Sequence, residues 1–223
     1  MCNTKTRKNL IDIFGLLLSS FGKRQWWPGD SSLEIIFGCI LTQNVSWKNV
    51  EEAICNLKQK NLIGLDAILS TSDIELGLLL KSTRYYNQKA LYLKNFCFHM
   101  KEDFEGNLDN LFSMEITKLR KYLLTLKGFG KETTDSVILY GANKPIFVVD
   151  AYTKRIFSRL GYFHKDISYN EVQDFFMKNL PQEVYIFNEF HALIVCLGQS
   201  LCKNSRPSCT SCPLGQICEK NFF

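Results

Sequence analysis

Apolar residues recur along most of this chain at the three- and four-residue steps of an α-helix, and hardly anywhere at the two-residue step of a strand. Leu10, Ile13, Phe14 and Leu17 make one such face, Leu33, Ile36, Phe37, Ile40 and Leu41 a second, and Val50, Ala53, Ile54 and Leu57 a third. After Lys89 the spacing runs through Ala90, Leu93, Phe96 and Cys97. Further helices are predicted over 116–126, 132–141, 151–160, 169–179 and 185–196. Ser31 and Glu34 stand at capping-box spacing, and Asp150 precedes AYTKRIFSRL as an N-cap. IFVV (146–149) is the one β-rich stretch, and its place just before a cap suits a connector better than a sheet. The expectation is an all-α protein of about 9–11 helices of ordinary length.

At 223 residues, 46% of them hydrophobic, the chain can bury a sizeable core as one body or two small lobes, and is no disordered protein. Apolar runs such as 35–41 fall far short of the ~20 residues that span a bilayer. The N-terminus, MCNTKTRKNLIDIFGLLLSSFGKR, sets a short apolar stretch behind basic residues, in the manner of a signal peptide. Asp12 interrupts that stretch and no small-residue cleavage pattern follows. An amphipathic first helix and a cytoplasmic, nucleoid-associated protein are expected instead. A net charge of +5 suits a polyanionic partner without requiring one.

The segment LLTLKGFGKETTDSVILYGANKP joins two apolar helices through Gly128-Phe129-Gly130. Two glycines allow positive φ and the close approach of a phosphate to the backbone. Their N–H groups, the start of the next helix and the Lys131 charge would together make an anion site. Phe129 would fill the space between the helices. A hairpin that merely turns needs no more than this, so what surrounds it decides. Likewise Asp150 as a plain cap would contribute about 1 kcal/mol and nothing else.

Of nine cysteines, Cys2, Cys39, Cys55, Cys97 and Cys196 are scattered, and those in apolar helical patterns are expected to be core thiols. Cys202, Cys209, Cys212 and Cys218 crowd into the last 22 residues, separated by six, two and five residues. Without a secretion signal, disulfides are disfavoured and a metal site is expected. Four thiolates satisfy either tetrahedral zinc or a 4Fe–4S cluster. Zinc knuckles more often show two CxxC pairs where this tail has one.

Taken in order, the hairpin, its continuation GANKPIFVVDAYTKRIFSRLG and the cysteine tail resemble the endonuclease III, or helix-hairpin-helix-GPD, superfamily of DNA glycosylases over essentially the whole chain. The resemblance implies two helical lobes: a six-helix barrel with the hairpin over 31–144, and a lobe joining 1–30 to 145–223. Their active-site cleft would place Glu132 opposite Asp150. It implies that Asp150 is catalytic and that Cys202, Cys209, Cys212 and Cys218 hold a 4Fe–4S cluster whose loop shows Lys203 and Arg206 to phosphates. Gly128, Phe129, Gly130 and Lys131 would contact DNA. Gln43 would fill the gap left by an extruded base, and Tyr86 and Asn87 would probe the minor groove. The implied protein is a monomer that acts on double-stranded DNA containing a damaged base, away from any membrane.

Superfamily members with an added lyase activity carry a lysine two residues after the hairpin's second glycine, and its amine forms a Schiff base with the sugar. Glu132 stands there in this chain, and Lys131, one residue off, is turned ~100° away on a helix. A monofunctional enzyme is implied. Asp150 would stabilise positive charge on the sugar and orient or deprotonate water. Glu132 would be a second pocket carboxylate or else a solvated first-turn residue. WWPG, LTQN, YYNQKA and GKETTDS look like the 3-methyladenine DNA glycosylase III-like branch, which removes alkylated purines. Trp26, Trp27, Pro28 and Trp47 match that branch's base pocket, though some of its members lack the cysteines. Two other functions stay open: an enzyme for oxidised pyrimidines or mismatches with weak AP-lyase activity, and a non-catalytic DNA-binding iron–sulfur sensor. The sensor would have no need of a carboxylate at Asp150. His99, His164 and His191 lack ligand-like spacing and are expected to be structural or exposed.

Overall fold

The computed structural model describes residues 4–220, with side chains from Leu10 onward; Cys2 lies outside the described residues. Among these, twelve α-helices and no β-strand are present: α1 (Thr4–Phe21), α2 (Ser32–Leu41), α3 (Trp47–Gln59), α4 (Leu65–Ser70), α5 (Asp73–Leu79), α6 (Tyr86–Phe104), α7 (Leu108–Ser113), α8 (Ile116–Leu123), α9 (Lys131–Ser136), α10 (Ala151–Arg159), α11 (Tyr169–Asn179) and α12 (Val184–Ser200). The all-α expectation holds, with more helices than expected because α4, α5 and α7 span only one or two turns. None of the described helices is long and apolar enough to cross a membrane. The chain divides into two compact units, 27–144 and 1–26 with 145–223.

In the 27–144 unit, α2 is the centre. Ile36, Phe37, Ile40 and Leu41 are wholly hidden, and α2 packs on α3, α6, α9 and the single π-helical turn, Val137–Gly141, that continues α9. Each such side chain contributes roughly 1.5–3 kcal/mol by leaving water. The start of α2 differs from a simple capping box. Ser31 accepts from the Glu34 amide at 3.2 Å, but the Glu34 carboxylate turns to the Asp30 amide (3.1 Å) and to Lys58 (2.7 Å). Lys58 thereby compensates the near-burial of Glu34. Cys39 and Cys97 are core thiols, and burial pushes Cys97 up to about 12. Cys55, one residue off the Val50–Ala53–Ile54–Leu57 stripe, is exposed.

The other unit is built on phenylalanine. Phe147 stacks on Phe176 at 4.0 Å, and Phe157 meets Phe176 edge-on at 4.7 Å. Phe14 of α1 and Phe190 of α12 close the cluster at 5.5 Å. Residues 146–149 are an extended connector with all four side chains buried. The Tyr169 hydroxyl accepts from the Val149 amide at 3.4 Å, and the Gln173 side chain donates to the Phe147 carbonyl at 2.7 Å. Those bonds occupy backbone groups that a sheet would otherwise take. Buried Glu189 accepts from the Arg24 and Gln25 amides, tying the N-terminal segment to α12.

Candidate active site

The hairpin is carried by α8 and α9 and braced by α6. Helix α8 stops at Leu123, short of the expected 126, and the chain turns through Gly128 to Gly130. Only Gly128 has positive φ (+93°), and a Cβ there would lie 2.3 Å from the Tyr92 ring. Gly130, at φ −78° and ψ 174°, is extended, and a Cβ there would meet nothing within 4 Å. Of the two glycines that the sequence leaves free to take positive φ, the turn uses that freedom at Gly128. Gly128 is required by the protein's interior, whereas Gly130 leaves the outer surface open to a close-approaching group. Phe129 is buried and stacks on Phe96 of α6 at 5.9 Å. Its ring therefore anchors the hairpin to α6, with its face turned away from solvent. The Asn95 side chain accepts from the Lys127 amide at 3.0 Å. Arg120 grips wholly buried Asp135 with two bonds, 2.7 and 3.1 Å, pinning α9 to α8. Lys131 and Glu132 stand exposed on the first turn of α9.

Gln43, in the turn after α2, reaches this hairpin. Its amide donates to the Gly128 carbonyl at 2.8 Å and to the Thr133 hydroxyl at 3.0 Å. Tyr86 and Asn87 open α6 after Tyr85, which has left-handed backbone, and Asn87 lies across Gly77 of α5. Trp27 meets Trp47 edge-on at 5.0 Å and Tyr140, on the π turn, at a tilt at 5.2 Å, with Gly38 directly against the Trp27 indole. A base sandwiched between Trp27 and Trp47 would need parallel rings, and the edge-on pair does not provide them. Pro28 is exposed beside it in sequence, and Trp26 is half-buried in the other unit.

In that other unit Asp150 caps α10. Its Oδ1 accepts from both the amide (2.7 Å) and the hydroxyl (2.8 Å) of Thr153. Its Oδ2 lies 3.8 Å from His191 Nε2, with both side chains about nine-tenths buried. His191 is thus a buried neighbour of Asp150. Burial holds its imidazole below the ordinary value, and the Asp150 charge opposes this. Thr153 went unnoticed in the sequence, and His191 was expected there to be structural or exposed, with no link to Asp150. The only hint of the first was the cap spacing, and nothing local marks the second.

The cysteine tail folds around one small hollow of about 30 Å3, partly open to solvent and lined in part by Cys202, Cys209, Cys212 and Cys218. Arg159 is its keystone. One guanidinium nitrogen donates to the Lys203 carbonyl (2.7 Å) and the Cys202 sulfur (3.3 Å), the other to the Asn204 carbonyl (2.9 Å). Arg155 holds the Cys202 and Gly198 carbonyls at 3.0 Å each. Burial, with repulsion among the four sulfurs, raises the Cys212 and Cys218 thiols. Among the described residues no three His, Cys, Asp or Glu side chains converge closely enough to hold a single metal ion. Lys203 and Arg206 are exposed on the loop.

The chain is 41% identical over 211 residues, 94% of its length and 95% of the relative's, to MJ1434 of Methanocaldococcus jannaschii, a protein assigned to the DNA repair glycosylases. Its fold is endonuclease III-like: a trapped endonuclease III–DNA covalent intermediate superposes with a TM-score of 0.82 over 96% of both chains at 22% identity. A Helicobacter pylori 3-methyladenine DNA glycosylase bound to 1,N6-ethenoadenine gives a TM-score of 0.74 at 26% identity, over 85% of this chain and 95% of that one. The family model for the HhH-GPD superfamily base excision DNA repair proteins matches residues 37–182, about two thirds of the chain, and the chain belongs to that superfamily.

Proposed function

We propose that the chain is a monofunctional DNA glycosylase that hydrolyses the N-glycosidic bond of alkylated purines, with Asp150 as its catalytic carboxylate. The observation that carries this is the state of Asp150: one oxygen saturated by Thr153, the other held beside His191, the whole group nearly buried. A fixed carboxylate in poorly hydrated surroundings stabilises a developing oxocarbenium charge far better than a solvated one. Its second oxygen can orient or deprotonate the attacking water. Glu132, where lyases carry the Schiff-base lysine, offers no amine, so the product is an abasic site in an unbroken strand. Exposed on the first turn of α9, it is the proposed second carboxylate, contacting the base or helping to position water.

Alkylated purines are favoured by the Trp27–Trp47–Tyr140 trio, because methylation makes a purine electron-poor and strengthens stacking on an aromatic face. The likeness to the H. pylori enzyme points the same way. Trp26 and Pro28 complete the proposed base-binding set, and Gln43, Tyr86 and Asn87 the set that opens the duplex. Gly130, Lys131, Lys203 and Arg206, with the backbone at Gly128 and Phe129, take the phosphates.

The four cysteines fit a 4Fe–4S cluster. All four line one hollow, and the Cys212 and Cys218 thiols, raised by burial, would be helped to ionise by a bound cation. The cluster would supply the cross-link that fixes this loop, and Arg159 and Arg155 would hold the same loop from behind.

The test is release of 3-methyladenine from methylated duplex DNA by the native chain and by Asp150→Asn. No release from methylated, oxidised or mismatched duplexes would refute the enzymatic reading. A covalent DNA adduct trapped by borohydride would refute the monofunctional one. Iron analysis and visible absorbance of native protein and Cys212→Ala decide the cluster.

A further inference from the structure

Lys89 is an ammonium almost entirely hidden inside the 27–144 unit, 2% exposed. Its Nζ donates to the carbonyls of Leu41 (2.8 Å) and Gln43 (2.9 Å), and among the described residues no carboxylate pairs with it. Leu41 ends α2, where carbonyls lack helical partners and the helix dipole is negative. Gln43 lies in the turn between α2 and α3, and the next residue, Asn44, has φ +55°. A methionine of similar length would fill the space of Lys89 without the cost of burying a charge. What the ammonium adds is the fixing of this turn.

The same turn is held from the opposite side. The Gln43 side chain donates to Gly128 and Thr133 of the hairpin, while its backbone carbonyl is tied to α6. Gln43 therefore stands beside the surface at which a phosphate can approach Gly130, with its side chain held to the hairpin and its backbone separately clamped. A group that leaves such a hold and enters a duplex keeps its direction only if the backbone behind it stays still.

We propose that Lys89 is a positioning residue for base extrusion: it clamps the backbone from which Gln43 enters the duplex. This rests on the glycosylase reading. A clamp of this kind matters only when a paired, stacked base must be displaced and kept out. Its loss leaves chemistry on an already unpaired base unaffected.

Single-turnover excision by the native chain and by Lys89→Met is compared on two duplexes carrying the same methylated adenine, one opposite thymine and one opposite an abasic site. Lys89→Met should slow the paired duplex roughly ten- to hundredfold, the scale of hydrogen bonds to a charged group, and the unpaired one less than about threefold. A partly misfolded sample lowers both rates together and leaves their ratio intact. An unchanged ratio overturns the proposal. Should Lys89→Met not fold, Lys89→Gln, too short to span both carbonyls, carries the same comparison. If the native chain excises neither lesion, the glycosylase reading is what fails. Fluorescence of 2-aminopurine beside the lesion then measures extrusion alone, and a gain equal to native in Lys89→Met overturns the clamp.

Discussion

The hairpin and the Asp150 site fix their functional groups in opposite ways. In the hairpin the anchors and the exposed groups are different residues. Phe129 on Phe96 and Asp135 are buried and Gly128 lies half-buried under Tyr92, while Gly130, Lys131 and Glu132 stand outside. At Asp150 a single carboxylate is both. One oxygen caps α10 and the other faces His191, with little of either exposed. A surface that meets a polyanion must be open and cationic, and its strength is screened by salt. A group that opposes a transient positive charge on a sugar acts best where water is excluded and its position is fixed beforehand. The contrast is one of solvation, and it can be tested.

The largest effect is expected at Asp150. Asparagine caps a helix as well as aspartate does, so Asp150→Asn should keep the fold and duplex affinity and lose roughly 10²–10⁴-fold in single-turnover excision. A parallel loss of affinity would erase the distinction between the two regions. Next come the two hairpin glycines. Gly128→Ala should cost about 2–4 kcal/mol in urea unfolding, from its backbone and the Tyr92 collision. Gly130→Ala should stay within about 0.5 kcal/mol while weakening duplex binding. Equal penalties at both positions would mean that Gly130 too is an interior requirement.

Lys131→Ala should lower the slope of log affinity against log salt by about one, and Asp150→Asn should leave that slope alone. The smallest effect concerns His191. Its imidazole is held below the ordinary value of 6.5 in the folded protein, so the unfolded chain takes up the proton first. Stability is then present above that pH and is lost as pH falls through it. The thermal midpoint should decline as pH falls below the ordinary imidazole value, and His191→Gln should flatten that decline. An unchanged slope would remove His191 as the titrating group.

How much of this was legible depends on how far apart the interacting residues lie. The stripes of α2, α3 and α6 predicted their buried faces because three- and four-residue spacing acts within one helix. Ser31 and Asp150 were recognisable as caps for the same reason. Helices α4, α5 and α7 are too short for a period to show, and the π turn at Val137–Gly141 carries no local mark. Sequence allowed positive φ at both hairpin glycines, and the folded turn uses it at Gly128 alone. That Trp27 and Trp47 meet edge-on is likewise a matter of side-chain orientation that the sequence does not specify.

By itself the sequence determined the helical class, the hairpin and its basic tip, the aspartate at a helix start, and a cysteine spacing suited to a cluster. All of these rest on residues close together in the chain. Only the tertiary structure decided what holds them. Gln43 meets Gly128 across 85 residues, Lys89 meets Leu41 across 48, and Arg159 meets Lys203 across 44. Bonds of that reach need closure of the whole unit before either partner is in place. A local pattern can nominate Asp150 and its capping bond to Thr153, but only the folded core could set His191 against its other oxygen.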